Sequence, residues 1–471
     1  MKLPENALLI KEMREEMRSR KLFFLVTIYI GILSIVALVA VSNSGGSSFN
    51  PVMLSETSHF TLFSFVITVT ILLGLVSTVL GAASFTTERE RATFELLELT
   101  PLSCLQLVTG KFFHVLILIG LILISSLPVL SALFFMGGLT YTDLFLIMIY
   151  VALFLAVVIL AALCISILSN RTIISIIFSL GLAFVISATL GILSANMYRD
   201  PGQLGFALVS PWLVAAQQIF SPGPIRLSGH AFPVWPFYFG LYALLIALFA
   251  AWGRNALDSR KLERNIWVRL IGLVILNGYL ALGFLCARSY APVTLNNVRD
   301  VYQIILVMLI VILPCFALGI LTDRDRVAFE KHPFLESFHP RKLLLNYPPT
   351  GIFYLLILLL TTAFTIAYCA RIPVRGSMEY VGLVILWIIP WLLIFTGMRI
   401  SRARPRSILV IYLLAALLYV LVGFFRSSGK SVSTSFEFFF DTPMLGVLVA
   451  SSLIYLVVVM IRQHRRKSPA K

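Results

Sequence analysis

The chain has 471 residues, of which 59% are apolar and only 12% charged, and its net charge is +16. A soluble globular chain is about 45–50% apolar and about 25% charged, so the composition excludes an ordinary soluble domain and points to a multi-span membrane protein. A spanning barrel would show alternating segments of about ten residues, and the sequence has none. Backbone amides at bilayer depth must be satisfied internally, so the spans are read as helices.

In chain order, residues 1–21 come first. Lys11, Arg14, Arg18 and Lys21 recur there at helical spacing beside Leu8, Leu9 and Met13. This predicts an amphipathic helix lying at the headgroups. Twelve apolar runs follow, at 22–42, 60–84, 112–136, 144–168, 172–194, 234–253, 268–287, 301–322, 350–370, 379–398, 407–425 and 443–461. Each is near the ~20 residues that a helix needs to cross ~30 Å of hydrocarbon. The first run is longer than a signal-peptide core of ~7–15 residues, so it reads as a retained anchor. Cys104, Cys164, Cys286, Cys315 and Cys369 are far apart, with no zinc-ligand spacing; they read as small apolar fillers.

With the amino terminus inside, 29 of the 37 Lys and Arg residues fall on the cytoplasmic side and 8 on the other. This bias supports twelve spans with both termini cytoplasmic. It also explains the net charge without nucleic acid. None of the 21 acidic residues lies deep in a span; Asp143 and Glu379 sit at span mouths. An intramembrane carboxylate is the usual proton or sodium relay, so an ion-coupled mechanism is disfavoured.

Between the second and third runs lies TTERERATFELLELTPLSCLQLVTGK, residues 86–111. Glu88, Arg89, Glu90, Arg91, Glu95 and Glu98 cannot be buried at mid-bilayer, where each charge costs roughly 2.5–3.5 kcal/mol. Thr87 and Glu90 fit a capping box, and Glu88–Arg91 and Arg91–Glu95 are spaced for pairing. Phe94, Leu97 and Leu99 supply an apolar side, and Thr100-Pro101 is a helix breaker. The expectation is a short surface helix over 86–100. Ser103 and Gln106 form a second capping box that opens the third span, with Lys111 snorkelling at the interface.

This stretch resembles the loop between the second and third spans of ABC-2-type ABC transporter permeases. The pattern falls here at Glu88-Arg89-Glu90, Thr93, Leu96-Leu97, Thr100-Pro101-Leu102-Ser103 and Gly110-Lys111, preceded by Gly81 and Phe85. The amino-terminal NALLIKEMREEMRSRKLFF is similar to that family's surface helix. The apolar, Pro-broken segment 195–233 corresponds to its short outer re-entrant helices. The resemblance covers about residues 5–255. Residues 256–471 carry no matching series and read as a second six-span region that completes a pseudo-dimer, docks an accessory subunit or stands as a separate module.

The apolar runs and the resemblance together give an all-α polytopic membrane protein: a surface helix at 1–21, a six-span ABC-2-type permease domain at 22–255 and, from the runs alone and beyond the usual six-span pattern, six further spans. It implies that Glu88, Arg89, Glu90, Arg91, Thr93, Leu97, Thr100, Pro101, Gly110 and Lys111 form a coupling interface with a separate ATP-binding subunit. Lys11, Arg14 and Arg18 would mark the surface helix. The chain would hold no cofactor of its own, ATP and Mg being bound by the partner. Short loops and the lack of a eukaryotic targeting signal point to a bacterial inner membrane; export follows from the likeness, and the expected partners besides the ATP-binding subunit are membrane lipid and a homodimer or a second permease.

The nearest approach to a phosphate loop, GFFRSSGKS at 423–431, has five residues between Gly423 and Gly429 where four are needed. It also falls in a loop on the outer side, so hydrolysis is assigned to another chain. His332 and His339, near Glu330 and Glu336, lack metalloenzyme spacing and read as a solvated loop. The alternative to the permease is a twelve-span secondary transporter. Its polar candidates are Asn277, Pro314 and Pro390, with no carboxylate among them. A membrane-embedded transferase has even less to work with.

Overall fold

A computed structural model describes residues 10, 12–14, 16, 20–44, 51–94, 103–134, 140–169, 171–181, 183, 211–220, 225–227, 230–257, 265–290, 361 and 364–365. The chain divides into two compact units. The first comprises Met1–Ala183, Ala207–Ile225 and Ala231–Asp258.

In the first unit, Ile10, residues 12–14 and Glu16 are helical. The following helices are α1 (Arg20–Ser44), α2 (Pro51–Glu90), α3 (Cys104–Ile124), α4 (Leu127–Phe134) and α5 (Tyr141–Leu168). Next come α6 (Thr172–Gly181) and α7 (Pro211–Phe220). Two three-residue strands, β1 (Ile225–Leu227) and β2 (His230–Phe232), whose residues 226–230 are assigned to the second unit, precede α8 (Trp235–Leu257) in sequence. Among the described residues, five helical stretches are long and apolar enough to cross a membrane: Leu22–Val39, Thr61–Glu90, Cys104–Ser131, Tyr141–Leu168 and Trp235–Arg254. They coincide with the first four predicted runs and the sixth. Of the fifth run, 172–194, only the start is described, as α6. The runs at 301–322, 379–398, 407–425 and 443–461 lie outside the described residues.

α3 opens with the expected capping box. The Ser103 hydroxyl accepts the Gln106 N–H, and the Gln106 side chain accepts the Ser103 N–H at 2.9 Å. The run at 112–136 is not one helix. It breaks at Ser125-Ser126, just before Pro128; proline lacks an amide hydrogen and crowds the carbonyl one turn back.

The core forms where α2 crosses α5. Leu62, Phe65, Val69, Leu73 and Phe85 pack with Val151, Leu155, Ile159 and Leu163. Small residues allow the close crossing. A methyl group at Gly81 would lie 2.9 Å from the Ala162 Cβ and 3.1 Å from the Ile159 carbonyl oxygen. One turn on from Ala162, the buried Ser166 hydroxyl accepts the backbone N–H groups of Phe85 and Thr86 at 3.0 and 3.2 Å. Small residues and interhelical hydrogen bonds are what hold helices together in lipid, where apolar burial gives no advantage. The many hydroxyls of α2 are satisfied on its own carbonyls, as Thr70 is on Val66 and Thr86 on Ala82.

α8 covers α5 on another side. The Tyr238 hydroxyl donates to the Tyr150 carbonyl at 2.8 Å, and the Tyr238 and Tyr242 rings stack at 4.2 Å. Cys164 is buried and donates to the Phe249 carbonyl, which agrees with its reading as a packing residue. At the Tyr141 end of α5, Thr140 caps the helix and Asp143 accepts from Gln218 of α7 at 2.7 Å. This bond holds α7 against the bundle.

The second unit comprises Phe184–Phe206, Arg226–His230 and Ser259–Lys471. Its described helix is α9 (Asn265–Tyr290), with Thr361, Phe364 and Thr365 also helical. Asn277 donates to the Leu273 carbonyl and the Thr361 hydroxyl, and it accepts from Thr365 at 3.1 Å. Both ends of its amide are therefore engaged in joining helical segments.

These contacts separate two glycines of α2. Gly81→Ala is expected to lower the thermal midpoint of the purified chain, because overpacking a tight contact costs about 1–3 kcal/mol. Gly74→Ala, at a position with nothing within 4 Å, should leave the midpoint unchanged or raise it, since alanine is the better helix former.

Candidate functional site

Over its described part, residues 86–94, the charged stretch departs from the short surface helix expected over 86–100; residues 95–100 lie outside the described residues. α2 runs without interruption through Glu90. Thr87 is not a cap; its hydroxyl donates back to the Ala83 carbonyl at 2.7 Å. The helix instead ends in a Schellman arrangement. The Thr93 N–H reaches the Glu88 carbonyl at 2.9 Å, the Ala92 N–H reaches that of Arg89 at 3.2 Å, and Ala92 takes a left-handed φ of 56°. Alanine in this conformation costs roughly 1–2 kcal/mol. The capping bonds and the Phe94 ring offset it. That ring packs edge-on to Phe85, with the Arg89 guanidinium 4.8 Å from its centre.

The charges of this helix end are bound within the chain. Lys111 does not snorkel outward as expected; it is buried, at 3% exposure. Its ammonium donates to Glu12 at 2.9 Å, to Glu88 at 2.8 Å and to the Ser84 carbonyl at 3.0 Å. All three donors are used on three acceptors from two segments. His114, one turn along α3, places Nδ1 3.3 Å from the second Glu12 oxygen. Glu88 therefore pairs with Lys111 and not, as its spacing suggests, with Arg91.

Arg89 and Glu90 engage the junction between α5 and α6. Nη1 of Arg89 donates to the carbonyls of Ile167 and Ser169 at 2.7 and 2.6 Å. These lie at the end of α5, where helix carbonyls lack partners and the dipole is negative. The Glu90 carboxylate accepts the Thr172 N–H at 2.7 Å, at the positive end of α6. Neighbouring residues of opposite charge thus meet helix poles of opposite sign.

Arg91, Ala92 and Thr93 are exposed on the cap. Gly110 is buried beside Lys111 on α3. Arg14 is helical and exposed. Lys11, Arg18, Leu97, Thr100 and Pro101, with Glu95, Glu98 and Leu99, lie outside the described residues. The structure thus brings Glu88 and Lys111 into one polar knot, sets Arg89 and Glu90 on the α5–α6 junction, and leaves Arg91 and Thr93 exposed. It adds Glu12, Ser84, His114, Ser166, Ser169 and Thr172, which the sequence pattern does not single out. Only His114 carries a local signal, standing three residues after Lys111 on one helix face.

The knot sets a clear expectation for stability. Lys111→Met leaves two half-buried carboxylates without their cation, and breaking a fully buried pair costs about 3–5 kcal/mol, an upper bound here. The variant should lose stability to denaturant. The triple change Glu12→Gln, Glu88→Gln, Lys111→Met should recover much of the loss, because no net charge is left buried. Equal stability of Lys111→Met and the native chain would contradict the burial.

Residues 6–203 match the family model described as ABC-2 family transporter protein. This region holds the surface segment, α1 to α6 and the whole polar knot. The match and the apolar helices indicate a multi-pass membrane protein that is similar, over residues 6–203, to ABC-2 family transporter proteins. No curated protein matches the chain.

Proposed function

We propose that the chain is the membrane-spanning permease subunit of an ATP-driven ABC exporter, working with a separate ATP-binding subunit. The observation that carries this reading is the coincidence of two things. The family match covers residues 6–203, and inside it the charged end of α2 closes in a hydrogen-bonded cap and is tied to α3, α5 and α6.

In this reading the exposed cap, Arg91 to Thr93, and the segment that follows it, with Leu97, Thr100 and Pro101, face the ATP-binding subunit in the cytoplasm. That subunit binds ATP and Mg and supplies the work. Both termini of the permease are cytoplasmic, and the membrane is the bacterial inner membrane. A displacement of the cap passes directly into α2, because the corner is part of the same helix and no flexible joint intervenes. From α2 it reaches α5 through the crossing at Gly81, Ala162 and Ser166. The knot at Lys111 carries it to α3 and to the amino-terminal segment. Packed helices and hydrogen-bonded corners are a physical route for such coupling.

A secondary transporter gains nothing from the structure. Asn277, its described polar candidate, spends both ends of its amide on Leu273, Thr361 and Thr365.

Purification tests the proposal. The native chain should co-purify with a nucleotide-binding protein, and the pair in vesicles should show vanadate-sensitive ATP hydrolysis linked to transport. Arg91→Glu should cut co-purification severalfold without loss of membrane insertion. A purified chain that moves substrate alone on an ion gradient would refute the reading.

A further inference from the structure

The expected role of the Glu-Arg-Glu series is to face a partner. In the folded chain two of its members are turned onto the α5–α6 junction. Arg89 is half-buried and holds two backbone carbonyls, of Ile167 and Ser169, with one nitrogen. Those carbonyls have no helical successor to bond, since α5 ends at Leu168. Glu90 is exposed, so its bond to the Thr172 N–H is weakened by solvent and salt. It orients the junction, and Arg89 holds it. One turn back from the end of α5, the Ser166 hydroxyl binds the Phe85 and Thr86 amides. The end of α2 therefore grips residues 166, 167, 169 and 172, all within one compact unit.

From this geometry we infer that Arg89, assisted by Glu90, is a positioning residue that locks the α5–α6 junction to the end of α2, so that a displacement of the α2 cap moves α5 and α6 together with α2. This rests on the permease reading for what drives the displacement. It assigns to Ile167, Ser169 and Thr172 a part in transmission that their sequence does not announce. It also gives the members of the series separate roles. Glu88 serves the Lys111 knot, Arg89 and Glu90 serve the junction, and Arg91 is left for the partner.

Two measurements on the full chain test it. Hydrogen exchange in lipid nanodiscs reads the contact without any ATPase. In Arg89→Ala and in Glu90→Ala the amides at Thr172 to Ser175 should exchange at least tenfold faster. Arg89→Lys and Glu90→Gln should stay near native, since each keeps a donor or an acceptor in place. Unchanged exchange in both alanine variants would overturn the lock. Transport with the co-purified ATP-binding subunit then reads its role. Arg89→Ala should hydrolyse ATP at a near-native rate yet transport at least tenfold less per ATP, with Arg89→Lys restoring the ratio. Faster exchange with an unchanged ratio would make the contact structural only and overturn the transmission role. If the native chain itself shows no ATP-linked transport, the permease reading fails and this role fails with it. That outcome is recognisable because the native control, and not just the variants, is inactive.

Discussion

The arrangement depends on the burial of one ammonium group. Lys111 sits at 3% exposure in the first turns of an apolar helix, where an unpaired charge would cost several kcal/mol. Its neutralisation needs carboxylates in place, and these come from two distant stretches, Glu12 and Glu88. Satisfying one cation therefore fixes three segments: the amino-terminal helix, the end of α2 and the start of α3. The aromatic ring of Phe85, 5.2 Å from the same nitrogen, closes the remaining side and adds a cation–π contribution.

The same logic repeats one residue further on. Helix ends leave carbonyls and amides without partners, and the end of α2 supplies both kinds of missing group to α5 and α6 through Arg89 and Glu90. A charged stretch in an apolar chain is thus not merely solvated surface. It supplies the polar groups that the surrounding helix termini lack. The consequence for function is mechanical. In the proposed role such a corner transmits force, since its exposed residues around Arg91 and Thr93 are continuous with α2. On the proposed reading, the close approach at Gly81 links α2 to α5.

Much of this is legible in the sequence. The runs that become α1, α2, α5 and α8 can be read from length and apolarity, and the Ser103–Gln106 capping box can be read residue by residue. The family likeness drawn from the Glu-Arg-Glu and Thr-Pro-Leu-Ser pattern is matched over residues 6–203. The helix boundary at 86–93 misleads for a physical reason. Helices commonly stop at a glycine in the left-handed conformation, and here alanine occupies that position, so the stop signal is hidden while Thr87 and Glu90 imitate a start. The knot is illegible because its partners are remote: Glu12 and Lys111 are 99 residues apart, and Arg89 and Ser169 are 80 apart. A rule based on neighbours along a helix therefore pairs Glu88 with Arg91. The break in the third run is signalled by Pro128, which sits where a ring crowds the preceding turn. The strands β1 and β2 are too short to show a period.

The burial of Lys111 is tested most directly by the reactivity of its amine toward an acylating reagent, read by mass spectrometry on the purified chain in lipid. In the native protein Lys111 should remain unmodified under conditions that acylate solvent-facing lysines fully. The pair of changes Glu12→Gln and Glu88→Gln should make it reactive. Native Lys111 reacting as fast as it does in the denatured chain would mean that the ammonium is not enclosed and that the knot does not hold the three segments together.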